Sequence, residues 1–142
     1  MLQNLRDQCE AVEECYEYML AYAAQGLPGD VGGSSGEKLR GLLGRAVEAL
    51  SNLPGTYEAA INQANLQPAE KHCAFLEVVK RDAGDALGAM ELVLAQSAIS
   101  SQLVDNLNAS IHLRALLTDL FLIDEIAKLH QASAGHSLSA EI

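Results

Sequence analysis

The chain has 142 residues, 49% of them apolar and only 20% charged, so it has enough apolar surface for one folded core and does not have the composition of a disordered chain. Nineteen Asp and Glu against nine Lys and Arg leave a net charge of −10, which argues against a basic face for nucleic acid and against adsorption to an anionic membrane. Three cysteines, Cys9, Cys15 and Cys73, form an odd set with no repeated spacing, unlike a disulfide framework. The N-terminus has no basic-then-apolar leader, and no apolar run reaches the roughly 18–20 residues that span a bilayer. These features together read as a cytoplasmic protein.

Leu2, Leu5, Cys9, Val12, Tyr16, Met19 and Ala23 alternate at spacings of three and four, which predicts a first helix over residues 2–24 with one apolar seam. Asp7, Glu10, Glu13, Glu14 and Glu17 fall outside that seam and are expected to face water. Cys9 lies in the seam. Cys15 lies on its flank and is expected to be the most reactive of the three thiols.

Residues 25–36 hold five glycines and a proline. Glycine costs about 1 kcal/mol and proline about 3 kcal/mol at a helix position, so this stretch is expected to be a flexible Gly-rich loop. Gly29 to Lys38 superficially echoes a phosphate-binding loop. Glu37 nevertheless separates Gly36 from Lys38, and a helix precedes the loop where a strand is required.

A second helix is predicted from about Glu37 to Leu53, with Leu39, Leu42, Leu43, Ala46, Leu50 and Leu53 on one face. Pro54-Gly55 is expected to end it, and Thr56 to cap a short third helix running to about Asn65. Pro68 suits the first position of a fourth helix, in which Leu76, Val79, Ala83, Ala86, Met90 and Val93 repeat the apolar spacing. In that helix Cys73 is expected to be a small core residue. His72 beside it points about 100° away, which rules out a facing nucleophile and base.

Ser100 or Ser101 can cap a fifth helix reaching about His130. Its first part is amphipathic, with Leu103, Leu107 and Ile111 opposed to Asp105, Asn108 and His112. From Leu113 to Ile126 apolar residues occur nearly all round, so this segment must be covered on every side. Residues 134–142 lack periodicity and are expected to fray, which leaves residues 1–133 as a single domain. The chain is thus expected to be all-α, an antiparallel bundle of four to five helices, with no strand signal to compete.

Chemistry is sparsely signalled. There is no Glu-x-x-His, His-Glu-x-x-His or Cys-x-x-Cys, so neither a di-iron nor a zinc site is predicted, and no metal or cofactor is implied. Asp105, His112 and Asp119 recur every seven residues along one stripe of the fifth helix, but each step is about 10.5 Å of rise, too far for direct contact. Two functions follow. The leading one is a non-enzymatic adaptor, chaperone or assembly factor that acts through protein–protein contact, most simply as a homodimer joined by Leu116, Leu120, Phe121, Leu122 and Ile123. The alternative is a small-molecule or cofactor binder, or an enzyme, with a pocket between helices four and five and Asp105, His112, Asp119 and Tyr57 as its polar residues.

Overall fold

The computed structural model describes the backbone of residues 2–141 and the side chains of residues 2–133. Five helices pack against one another: α1 (Leu2–Ala24), α2 (Ser34–Gln63), α3 (Ala69–Leu94), α4 (Ser101–Ala109) and α5 (Ile111–Glu141). The four long helices touch in a ring, α1 on α2, α2 on α3, α3 on α5 and α5 on α1, while the short α4 rests mainly on α1. Among the described residues no helix is long and apolar enough to cross a membrane. The expectation of a frayed tail at 134–142 falls outside the described side chains.

The α1 seam is wider than the heptad reading allowed. Leu5, Cys9, Val12 and Met19 are buried, but Cys15 and Tyr22 are buried with them, while Tyr16 and Ala23 lie at the edge. An α-helix turns every 3.6 residues, so a straight face drifts off a strict seven-residue repeat by about 20° per heptad. That drift carries Cys15 from the flank into the core and corrects its expected reactivity.

Helix α2 departs most from expectation. It begins at Ser34, inside the predicted loop, and runs through Pro54 to Gln63, so the second and third predicted helices are one. Proline removes one ladder hydrogen bond, at a cost of about 3 kcal/mol. The face Leu50, Leu53, Tyr57, Ala60 and Ile61 continues unbroken into the core, and each large apolar side chain there contributes about 1.5–3 kcal/mol. Burial therefore outweighs the proline. Thr56 caps nothing: its hydroxyl donates to the Asn52 carbonyl of the same helix at 3.1 Å. Asn65, in the left-handed region at φ 54°, ends the run.

All six predicted core positions of α3 are buried. Ser100 caps α4 by accepting from Leu103 N at 3.0 Å. The predicted fifth helix, however, is two. Ser110 takes an extended conformation (ψ 143°) and its hydroxyl accepts from Leu113 N, so it closes α4 and opens α5. The break turns Ile111 out to solvent, away from Leu107.

Segment 25–33 is tied at two points. Leu27 exchanges hydrogen bonds with Ser101, whose hydroxyl also donates to the Tyr22 carbonyl at 2.6 Å. The buried Asp30 carboxylate accepts from Ile99 N at 2.7 Å and from the Arg40 guanidinium. Arg40 in turn donates to the carbonyls of Leu94 and Gln96 at the end of α3. Gly36 fits beneath this knot because a β-carbon there would overlap the Asp30 carbonyl.

Candidate functional site

The helix break at Ser110 disperses the predicted polar stripe. Asp105 is exposed on α4, His112 is exposed on α5, and Asp119 is buried on α5. Asp119 lies against Asp82 of α3, and burial together with that second carboxyl pushes its pKa up to about 8. One Asp119 oxygen has no hydrogen-bond partner among the described residues. Tyr57 stands apart from all three, in the core on α2.

The predicted interface set divides in the same way. Leu116, Leu120 and Ile123 belong to the chain's own core, because α5 turns that face towards α3 and α1. Buried within one chain, they are not available to join two copies. Phe121 and Leu122 are the two that remain outside, 54% and 50% exposed, and Ile126 (41%) and Leu129 (62%) join them. Leu122, Ile126 and Leu129 follow a 4-3 spacing and so share one face of α5.

Beside that face lies a cleft of about 340 Å³. Phe75 of α3, Leu122 and Ile126 of α5 and Pro68 make its apolar wall, the buried Tyr57 and His72 its inner end, and the exposed Gln67 and Lys71 its rim. The Tyr57 hydroxyl and His72 Nδ1 are 2.6 Å apart, with the rings edge to face. Burial drives both groups towards neutrality. It pushes the phenol up to about 12 and holds the imidazole below its ordinary value, although the Gln67 carbonyl partly opposes the second effect. With both groups neutral, the tautomer of His72 decides whether the phenol donates to Nδ1 or accepts from Nδ1–H. A phenol that is harder to ionise is not an activated nucleophile, so the pair orients and does not attack.

Sequence reasoning gave Tyr57 to a pocket and Leu122 to a subunit interface, and missed His72 as a partner for Tyr57 because fifteen residues and a turn separate them. Cys73, expected in the core, is exposed, whereas Cys9 and Cys15 are buried and pushed up to about 12 by that burial. No group of three or more His, Cys, Asp or Glu among the described residues is placed to hold a metal ion. No family model matches the chain, and no curated protein or solved structure is significantly similar to it.

Proposed function

We propose that this chain is a non-enzymatic, cytoplasmic binding protein that acts through protein–protein contact as an adaptor, chaperone or assembly factor, with a second copy of itself as the first partner. The observation that carries the reading is the exposed face Phe121, Leu122, Ile126 and Leu129 on α5. A contiguous apolar patch on an acidic chain marks an interaction surface more often than scattered apolar residues do. The segment is also nearly neutral: Arg114 and Lys128 balance Asp124 and Glu125 once the buried Asp119 keeps its proton. Two chains of charge −10 approach with least repulsion on such a face. The short connection between α2 and α3, residues 64–68, supports an antiparallel sense for that pair, and three cysteines without a disulfide suit a reducing compartment.

Sedimentation equilibrium over a wide concentration range tests the reading, with Leu122→Asp and Leu129→Asp as variants. Both side chains are at least half exposed, so the fold is expected to survive while self-association weakens by tenfold or more. A parent chain that stays monomeric at every concentration refutes the homodimer.

A further inference from the structure

The cleft between α2, α3 and α5 has an uneven polar inventory. At its inner end Tyr57 and His72 satisfy one another, and the Gln67 carbonyl lies by the imidazole. The Gln67 amide nitrogen donates away from the cleft to Asn65 Oδ1 at 2.9 Å. Lys71 is the exception. It is the one charged residue of the lining, and it enters no ion pair among the described residues. No carboxylate among the described residues lines the cleft, although acidic residues outnumber basic ones by nineteen to nine in the chain. An apolar body fits walls built of Phe75, Leu122 and Ile126, and the single ammonium at the rim asks for one negative charge.

We propose that this cleft binds a small amphipathic monocarboxylate, with its apolar part against Phe75, Leu122 and Ile126 and its carboxylate on Lys71 Nζ. The volume of about 340 Å³ sits near the lower end of the roughly 300–1,000 Å³ usual for small-molecule sites, which suits a single medium-length chain or a bicyclic ring rather than a nucleotide. Carboxylate is favoured over phosphate because one lysine supplies one charge, with no second cation and no helix N-terminal glycine loop to share a dianion. Tyr57 and His72 are positioning residues: their hydrogen bond holds the imidazole edge in place as part of the inner wall. The inference goes beyond self-association but shares Leu122 and Ile126 with that face, so the ligand and a second copy of the chain compete for one wall.

The test uses the full chain with decanoate as probe, and decanol and decylammonium as controls of the same length and opposite or no charge. Calorimetric titration is expected to give one saturable decanoate site. Decanol is expected to bind at least about tenfold more weakly and decylammonium more weakly still. Amide resonances of His72, Phe75 and Leu122 should shift together. Lys71→Met is expected to reduce decanoate affinity about tenfold while leaving decanol unchanged. Lys71 is exposed, so the fold is not at stake, and circular dichroism verifies that. Equal binding of all three probes, no saturable binding, or a Lys71→Met variant that binds decanoate like the parent overturns the proposal. Sedimentation with and without decanoate separates this outcome from the fate of the homodimer.

Discussion

Asp30→Ala is the most informative single perturbation of this fold, because one carboxylate holds the glycine-rich segment, α2 and the α3–α4 connection together. Its side chain is 5% exposed and accepts from Ile99 N at 2.7 Å and from Arg40. Alanine leaves the Ile99 N–H buried without a partner, which costs about 1–3 kcal/mol. The lost ion pair adds little, since the Arg40 side chain is 34% exposed and solvent screens it; about 0–1 kcal/mol is appropriate. The sum is about 1–4 kcal/mol, or a Tm lower by about 3–15 °C for a chain of this length. Asp30→Asn keeps an acceptor for Ile99 and is expected to cost about 1 kcal/mol. Arg40 holds the pKa of the Asp30 carboxyl below its ordinary value in the fold. Its contribution is therefore complete above the unfolded value of 3.8 and is lost as pH falls through the lower folded value. Urea unfolding followed by far-UV circular dichroism measures the cost, and hydrogen exchange reads the Ile99 amide. A loss below about 0.5 kcal/mol, or an Ile99 amide still protected in Asp30→Ala, would refute the reasoning.

Asp119 carries the opposite sign. Its folded value of about 8 lies above the ordinary 3.8, so the fold keeps a proton that the unfolded chain releases, and stability falls as pH rises between those values. One pKa unit is worth about 1.4 kcal/mol, so Asp119→Asn, whose amide can donate to Asp82, is expected to exceed the parent by at least ~2 kcal/mol near pH 8 and to match it near pH 4 in urea titrations. In thiol titration, Cys73 should react in the native state, and Cys9 and Cys15 only on unfolding; a second fast thiol would contradict their burial. Gly36→Ala is expected to cost about 1–3 kcal/mol because its β-carbon meets the Asp30 carbonyl, whereas Gly41→Ala, in open space on α2, should gain up to about 1 kcal/mol. Thermal unfolding of the pair checks this, and equal effects would count against the close approach at Gly36.

Much of the helical pattern could be read from apolar spacing alone, since the faces of α1, α2 and α3 each need an uncovered stripe to be buried. What misled the reading were local signals weighed without their tertiary context. Pro54 is a strong breaker in isolation, yet Tyr57, Ala60 and Ile61 carry the buried face past it. Ser110 carries no breaker residue beside it, yet its hydroxyl caps Leu113 N and splits one predicted helix into two. The candidate site was less legible. Phe121 and Leu122 stood out because the 113–126 stretch is apolar all round, but the sequence could not say which apolar residues α1 and α3 would cover.

The amino-acid sequence by itself determined the all-helical class, most of the core and the acidic exterior, because periodicity and composition act over one or two turns and need no partner. The tertiary structure alone decided that Asp30 clamps a segment rich in glycine, that Cys15 is buried and Cys73 exposed, and that Tyr57 meets His72 at the end of a cleft rimmed by Lys71. Each of those depends on residues distant in the chain being brought within a few ångströms, where desolvation and hydrogen bonding set the outcome. Helix propensity and face patterning carry no information about such meetings.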